Sequence, residues 1–277
     1  MKIDANQLKK QLNPFFTIVE SYETISSTND LLKQVATTFP EGTLFIANEQ
    51  TKGKGRNGRD FLSKADKGLY MSILLKPNLE LKASLTITAC AAVAVAKAIE
   101  SLYGHVIQIK WINDLICNQL KLGGILVESG LQANKQQVDY FVVGIGLNVY
   151  HQDFLAPLDQ IATTLEDQIG TVDRFKLAVA ILNNFITEYQ RMETNAWHKP
   201  YLKYSNVYHQ TIRVLANPAY DAYVEDIDCY GQLHVIKEDQ SKEIINSGEI
   251  SIRLVEESSL IKNNYWKMDT ANTVVKM

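Results

Sequence analysis

The chain has 277 residues, of which 46% are hydrophobic and 21% are charged, and its formal net charge is −3. These values are typical of a globular protein with room for one large and one small domain, and they argue against non-specific nucleic-acid binding, which needs an excess of cations. Three widely spaced cysteines without a Cys-x-x-Cys pair argue against a disulfide framework or zinc site.

The first predicted element is a helix that begins near Ser27, because an N-cap sequence there precedes the apolar residues Leu31, Leu32 and Val35. Short strands are predicted at residues 43–47 and 69–75. Residues 84–103 are apolar on nearly all sides and predict a buried helix. Its most apolar run is too short to span a bilayer, and the N-terminus lacks a signal-peptide core, so a cytoplasmic protein without a membrane partner is expected.

Further strands are predicted at 105–111, 115–117, 124–128 and 140–145, and Thr171 is predicted to cap a helix that follows them. After Pro200 the pattern changes to short strands, at 211–215, 222–227, 232–236, 244–245 and 250–254. We therefore predict an α+β fold with a mixed-sheet catalytic domain at 1–205, a small C-terminal β-barrel at 206–255 and a loosely docked tail at 256–277.

Residues 51–60 place three glycines and four cations directly after a predicted strand. Gly53, Gly55 and Gly58 match the Gly-x-Gly-x-x-Gly dinucleotide pattern, but no amphipathic helix follows, and a P-loop would need Lys-Ser or Lys-Thr where Arg59-Asp60 stands. A solvated surface turn is the alternative. Because glycine lets a backbone approach a ligand closely, the pattern favours a loop that closes over a phosphate or carboxylate.

Lysine, amide and glycine residues cluster in three further segments. Residues 110–114 read Lys-Trp-Ile-Asn-Asp, residues 121–128 place Lys121 before two glycines, and residues 144–148 place two glycines before Asn148. Solvent-facing lysines on a hairpin are the alternative, but paired glycines within a strand indicate close approach of a ligand or another backbone. The histidines show no metal-ligand spacing, and no Ser/His/Asp set can be singled out.

Five segments in this order resemble the biotin protein ligases (biotin–acetyl-CoA-carboxylase ligases): Ser27-Thr28-Asn29 and residues 49–59, 110–114, 121–128 and 144–148. The resemblance implies that biotin and MgATP first give biotinyl-5′-AMP and pyrophosphate. A lysine of a biotin carboxyl carrier domain, from acetyl-CoA carboxylase or pyruvate carboxylase, would then accept the biotin and release AMP. It also implies the two-domain layout predicted above.

The resemblance implies roles for individual residues. Lys121 and Arg56 would be catalytic. Biotin would be bound by Ser27, Thr28, Asn29, Gln50, Gly53, Lys54, Arg56, Tyr70, Lys121, Gly124, Gly144 and Gly146. ATP or the adenylate would be bound by Arg56, Arg59, Phe61, Lys110, Asn113, Lys121 and Asn148, with Phe61 near adenine. Mg²⁺ would accompany ATP, and no metal ligand can be named.

The chemistry of these residues agrees with the resemblance. Joining a carboxylate to a phosphate brings two anions together, so the site must supply fixed positive charge, and a loop must shield the mixed anhydride from water. Two residues depart from the family pattern: Lys54 stands where arginine is common, which loses bidentate geometry, and Ile112 stands where proline is usual.

Three alternatives remain open. A lipoate or octanoate ligase or transferase shares the fold family, although its Arg-Arg-x-x-Gly-Gly-Gly motif is not matched by residues 53–56. The others are a DNA-binding regulator that only senses the adenylate and a non-catalytic binding protein. The residues before Ser21 are too few for a DNA-binding domain, so we expect the monofunctional type, a monomer or homodimer that binds no specific DNA.

Overall fold

The computed structural model of the protein describes residues 2–131, 138–246, 252–254, 267–268 and 274–275. The chain divides into two compact units, Met1–Ser205 and Asn206–Met277. The larger unit carries all the residues that the sequence singles out as functional.

The described part of the larger unit combines helices with one sheet. The helices are α1 (Ala5–Gln11), α2 (Thr28–Val35), α3 (Ala83–Tyr103), α4 (Leu165–Ile169), α5 (Arg174–Gln190) and α6 (His198–Tyr204). The strands are β1 (Ile18–Ile25), β2 (Thr43–Gln50), β3 (Gly68–Leu75), β4 (Gln108–Lys110), β5 (Asp114–Cys117), β6 (Leu120–Leu131) and β7 (Val138–Asn148). Short 3₁₀ turns lie at Arg56–Gly58, Leu158–Gln160 and Met192–Thr194.

The seven strands form one sheet in the order β1-β2-β3-β7-β6-β5-β4. Strands β1 and β2 run parallel, and every other neighbouring pair is antiparallel. The sheet is therefore mixed, and the predicted α+β class is confirmed. The three segments that contain paired or alternating glycines and clustered lysines lie on β4–β5, β6 and β7, which are neighbours in the sheet.

Helix α3 is the central helix of the larger unit. All its residues from Thr86 to Ala96 are buried, and it contacts α5, β6 and β7. Gly104, with a φ of 66°, ends it in the left-handed conformation that glycine adopts without strain. Over its full 21 residues the helix is long and apolar enough to cross a membrane, but 67% of its most apolar window is buried inside the protein. The predicted buried helix is confirmed.

Several local features differ from the sequence-based expectation. The N-cap of α5 is Asp173 and not Thr171, because the Asp173 carboxylate accepts hydrogen bonds from the N–H groups of Phe175 and Lys176. Strand β1 was not predicted, since Ile-Val-Glu-Ser-Tyr-Glu-Thr-Ile lacks strict alternation of apolar and polar residues. The start of α2 is confirmed, with Ser27 as its N-cap.

The smaller unit contains β8 (Thr211–Val214), β9 (Tyr220–Ile227), β10 (Leu233–Lys237), β11 (Lys242–Ile245) and β12 (Ile252–Leu254). They form a five-stranded antiparallel sheet in the order β11-β10-β9-β8-β12, so the predicted strands are present, although Ile250 lies outside the described residues. The predicted tail also lies mostly outside them, apart from the pair β13 (Lys267–Met268) and β14 (Val274–Val275).

Candidate active site

A row of paired residues crosses five strands of the sheet. Tyr70 on β3 pairs with Gly146 on β7, which pairs with Gly124 on β6, which pairs with Asp114 on β5, and Asp114 pairs with Lys110 on β4. Directly paired residues lie on the same face of a sheet. Gly146 and Gly124 therefore leave a strip of bare backbone, the glycine strip, between an aromatic ring and two charged side chains.

A second row on the same face begins two residues further along β3, and its residues contact the start of α2. Ser72 on β3 pairs with Gly144 on β7. The Ser72 hydroxyl lies 2.6 Å from Thr28 Oγ1 and 2.5 Å from Asn29 Oδ1. A Cβ atom at Gly144 would lie 2.4 Å from Asn29 Oδ1, so only glycine fits there. Ser72, Thr28 and Asn29, all buried, form a polar wall beside the glycine strip.

Gln50, the last residue of β2, joins this polar wall to the glycine-rich loop. Its Oε1 accepts a hydrogen bond from the N–H of Thr28 at 2.8 Å and lies 3.0 Å from the Thr28 hydroxyl oxygen. Its Nε2 donates to Ser63 Oγ at 3.0 Å. Ser27 is buried next to them and accepts a long hydrogen bond, 3.4 Å, from the N–H of Asp30 as the helix N-cap.

The glycine-rich loop, residues 51–60, folds back on itself as a short hairpin. Lys54 pairs with Asp60, and the N–H of Gly55 donates to the carbonyl of Arg59 at 2.7 Å. Asn57 and Gly58 make the turn with φ values of 56° and 71°. Gly53 is needed at the base, since a Cβ atom there would lie 2.4 Å from the carbonyl oxygen of Phe61.

Two cations of the loop reach neighbouring elements. Arg56 Nη1 donates to Asn113 Oδ1 at 2.9 Å. This hydrogen bond joins two of the residues that are predicted to bind the adenylate. Burial lowers the pKa of Arg56 from its ordinary value, but arginine stays charged in proteins. Lys54 forms an ion pair of 2.6 Å with Asp30 on α2, and Arg59 is exposed. The loop is thus connected to both sides of the site.

Phe61, which follows the loop, lies over the glycine strip. A Cβ atom at Gly146 would lie 2.8 Å from its ring, and the ring meets Tyr70 edge-on at 6.3 Å between centroids. Tyr70 is buried, which raises its pKa, and its hydroxyl donates to the carbonyl of Lys64 at 3.0 Å. Phe61 therefore contacts Tyr70 and Gly146, which the resemblance assigns to biotin. The resemblance itself places Phe61 near adenine.

Lys121 and Asp114 form the charged end of the site. Lys121 Nζ lies 2.7 Å from Asp114 Oδ1, which also accepts from Asn113 Nδ2 at 3.2 Å. The backbone of Lys121 is held on its other side, because its N–H donates to the carbonyl of Ile161 and its own carbonyl accepts from Thr163. Lys110, the end of the first row, pairs with Asp114 through the backbone.

Asn148 is placed differently from the other predicted nucleotide-binding residues. It is buried at the end of β7, and its Nδ2 donates to the carbonyl of Thr163 at 3.1 Å. Thr163 in turn pairs with Lys121. In this structure the side chain of Asn148 therefore supports the segment that holds Lys121.

Sequence reasoning missed Ser72 and Asp30 and gave Asp114 no role. Ser72 is the one hydroxyl-bearing residue among the aliphatic residues at the centre of β3, a signal that could have identified it. Asp114 is a carboxylate within the quoted Lys-Trp-Ile-Asn-Asp segment. Asp30 had no signal beyond its position in the first turn of a helix. Among the described residues, no group of three or more His, Cys, Asp or Glu side chains could hold a metal ion.

The comparisons with known proteins agree on one family. Residues 21–148 match the Biotin/lipoate A/B protein ligase family. The chain is 37% identical over 180 residues to the bifunctional ligase/repressor BirA of Bacillus subtilis, covering 64% of this chain and 55% of that protein. It is 30% identical over 168 residues to the biotin–[acetyl-CoA-carboxylase] ligase of Mycobacterium tuberculosis, covering 58% of this chain and 59% of that protein.

A solved structure extends the match beyond these segments. The biotin protein ligase from Aquifex aeolicus in complex with biotin and ATP superposes with a TM-score of 0.73 at 25% identity, covering 85% of this chain and 99% of that one. The chain spans little more than half the length of the Bacillus relatives that it matches. Over residues 21–148 the chain thus matches the biotin/lipoate A/B protein ligase family, and it is similar to biotin protein ligases both in sequence and in fold.

Proposed function

We propose that this protein is an ATP-dependent, AMP-forming biotin–[biotin carboxyl carrier protein] ligase. The observation that carries the proposal is the glycine strip, with a polar wall at one side and the Lys121–Asp114 pair at its end. Such a site accepts a flat ligand against bare backbone, binds its polar ring at the wall and leaves its anionic end beside a lysine.

The polar wall provides the recognition of biotin. Biotin's ureido group carries one carbonyl acceptor and two N–H donors, and the wall with Gln50 offers hydroxyl and amide groups of both kinds. Gly144 and Gly146 let Asn29 and Phe61 approach the sheet closely, and Phe61 and Tyr70 supply apolar surface for the bicyclic ring.

The cations provide the chemistry of activation. In the first step a carboxylate oxygen of biotin attacks the α-phosphorus of ATP and pyrophosphate leaves, so negative charge accumulates between two anions. Lys121 and Arg56 are fixed by Asp114 and Asn113, and charges that are already oriented stabilise such a transition state with little reorganisation. No protein nucleophile is needed, because the acceptor lysine's amine attacks the mixed anhydride in the second step and releases AMP.

The glycine-rich loop shields the intermediate. It contacts α2 through Lys54 and the β4–β5 turn through Arg56 and Asn113, so it has contacts on both sides of the site. A loop that closes in this way excludes water from a mixed anhydride.

Mg²⁺ fits as part of the substrate. Magnesium in nucleotide sites is held mainly by phosphates with one or two carboxylates, and Asp114 is the carboxylate adjacent to Lys121. The acceptor would be the biotin carboxyl carrier domain of acetyl-CoA carboxylase or pyruvate carboxylase. We place the reaction in the cytoplasm, which suits the free, buried Cys90 and Cys117.

The proposal is tested by incubating the protein with biotin, MgATP and an apo carrier domain and weighing the carrier. We expect the mass of one biotinyl group on one lysine, and no addition when ATP is omitted. Parallel reactions with lipoate and octanoate test the other chemistry of the fold family. Transfer of either acid in preference to biotin, or no transfer of any, would contradict the proposal.

A further inference from the structure

Glu128 of β6 supports the polar wall from outside the row of residues already described. Its Oε2 accepts a hydrogen bond from Asn29 Nδ2 at 2.8 Å, and its Oε1 accepts one from Lys33 Nζ at 2.6 Å. Both carboxylate oxygens therefore have a defined partner on α2. The carboxylate is only partly exposed, so its position is set by these two contacts.

The contact with Glu128 determines how the amide of Asn29 is turned. A side-chain amide has a donor nitrogen and an acceptor oxygen, which exchange places when the group rotates by half a turn. Because a carboxylate only accepts, the nitrogen of Asn29 must face Glu128, and the carbonyl of Leu126 lies 3.4 Å from the same nitrogen. The oxygen consequently faces Ser72 and Gly144.

The direction of this amide sets the hydrogen-bond directions along the polar wall. Ser72 has a single hydroxyl hydrogen, and Asn29 Oδ1 can only accept, so that hydrogen is committed to Asn29. The lone pairs of Ser72 then remain for Thr28 Oγ1, 2.6 Å away. A reversed amide would present a donor in place of an acceptor and reverse the order along the wall.

Ion pairs anchor Glu128 and continue to the loop. Lys33 Nζ also lies 3.0 Å from Asp30 Oδ1, and Asp30 Oδ2 lies 2.6 Å from Lys54 Nζ. Partial burial by itself lowers the pKa of Lys33, but its hydrogen bonds to Glu128 and Asp30 outweigh that effect and leave the pKa raised. Lys33 is therefore a cation throughout the neutral range.

We propose that Glu128, anchored by Lys33, is a positioning residue that sets the hydrogen-bonding polarity of the ligand site through the amide of Asn29. The proposal rests on the proposed function and deepens it, since the ligand it selects is a cyclic urea whose N–H groups need an acceptor at the wall. A ligand with the opposite pattern of donors and acceptors is disfavoured by the same arrangement.

The test exchanges acid and amide between two positions. In Glu128→Gln, the glutamine oxygen faces Lys33 and its nitrogen faces Asn29, so the Asn29 amide turns over. We expect the KM for biotin in pyrophosphate release to rise about tenfold, with kcat changed by less than about twofold. In Asn29→Asp two carboxylates face each other, and we expect a larger rise.

The double variant Asn29→Asp/Glu128→Gln restores the original pattern. The glutamine nitrogen donates to the new aspartate, whose other oxygen again faces Ser72 as an acceptor. The KM for biotin should return to within about threefold of the parent, a rescue that a merely structural role for Glu128 would not produce. Asp139→Asn, at an exposed position of β7, is the control with the same change of charge.

A second measurement does not depend on enzymatic activity. In the ligand-free protein, the side-chain amide protons of Asn29, assigned by their loss in Asn29→Asp, should resonate downfield and move upfield in Glu128→Gln. A parent protein that makes no biotinyl-AMP would refute the proposed function, and this measurement would still report on the amide. Unchanged amide resonances, an unchanged KM in Glu128→Gln, or a double variant no better than Asn29→Asp would each overturn the proposal.

Discussion

Single residues define the floor and the charged end of the site. Gly144 and Gly146 let Asn29 and Phe61 approach the sheet closely, and a Cβ atom at either position would force these side chains to shift. Lys121 forms an ion pair with Asp114, although its side chain is 39% exposed.

Replacing Lys121 with alanine tests the charged end. We expect Lys121→Ala to lower the rate of biotinyl-AMP formation about 100- to 1,000-fold, because one preoriented charge in the transition state is lost. The measurement is biotin-dependent pyrophosphate release, with thermal unfolding as a check on the fold. Lys199→Ala, which removes an exposed lysine on α6, is the control and should retain the parent rate. A Lys121→Ala rate within a few-fold of the parent would refute the assignment.

Adding one methyl group at Gly144 tests the floor. In Gly144→Ala the new Cβ atom would meet Asn29 Oδ1 at 2.4 Å, so the polar wall must shift. We expect a destabilisation of about 1–3 kcal/mol and at least about tenfold weaker biotin binding. Calorimetric titration and urea unfolding measure the two effects. At Gly55 the nearest atom lies 3.5 Å from a Cβ position, so Gly55→Ala should be folded as stably as the parent, and equal effects of both changes would argue against the floor.

At the scale of elements, the glycine-rich loop and α2 act together. The loop contacts α2 through the Lys54–Asp30 ion pair and the β4–β5 turn through the Arg56–Asn113 hydrogen bond. The two contacts join the loop to two separate elements of the site. Loss of either contact should therefore affect containment of the intermediate more than folding.

Arg56→Gly separates formation of the intermediate from its retention. The change removes the hydrogen bond to Asn113 and adds backbone freedom, which raises the entropic cost of closing the loop. A charge-assisted hydrogen bond is worth about 1.5–3 kcal/mol, or one to two powers of ten in retention. We expect the variant to make biotinyl-AMP and release it, so that serum albumin added with biotin and MgATP becomes biotinylated. An unlabelled albumin lane, with the adenylate dissociating no faster than from the parent, would show that Arg56 does not hold the loop.

Asp30→Asn tests the contact between the loop and α2 through its pH dependence. Partial burial raises the pKa of Asp30, but hydrogen bonds from Lys54 and Lys33 outweigh it, so the pKa lies below the ordinary value of 3.8. The folded state then binds fewer protons than the unfolded state, and the stabilisation is complete above that value and lost as the pH falls below it. We expect Asp30→Asn to cost about 1 kcal/mol at neutral pH.

That cost should shrink toward zero in acid, since the parent loses the same contribution there. Urea unfolding at neutral and acid pH measures it, with Asp139→Asn as the control. A difference between Asp30→Asn and the parent that does not depend on pH would contradict the ionic contact.

At the scale of the whole molecule, charge and burial limit what the protein contacts. The net charge of −3 gives no general attraction to DNA. The apolar helix α3 is enclosed by α5 and the sheet, and its apolar surface is used in the core of the larger unit. The cations of the loop and of β4–β6 are concentrated at the candidate site.

We expect the protein to bind no DNA specifically, with or without biotin and ATP. The physical reason is the acidic balance of the chain, which opposes the phosphate contacts on which such binding depends. Gel-shift titrations with promoter fragments of biotin genes, at low and moderate salt, measure it. A sequence-dependent shift that survives moderate salt would contradict the expectation.

The sequence by itself determined the α+β class, the helix start at Ser27 and the buried helix α3, because capping residues and apolar periodicity are local signals. It also predicted most of the residues that the structure brings together around the glycine strip. It did not determine strand β1, the cap at Asp173 or the roles of Ser72, Asp30 and Glu128. Only the tertiary structure decided those, because they depend on strand register and on contacts between residues far apart in the chain. Glu128 accepts a hydrogen bond from Asn29, which lies 99 positions earlier in the chain, and no local sequence pattern encodes a contact of that separation.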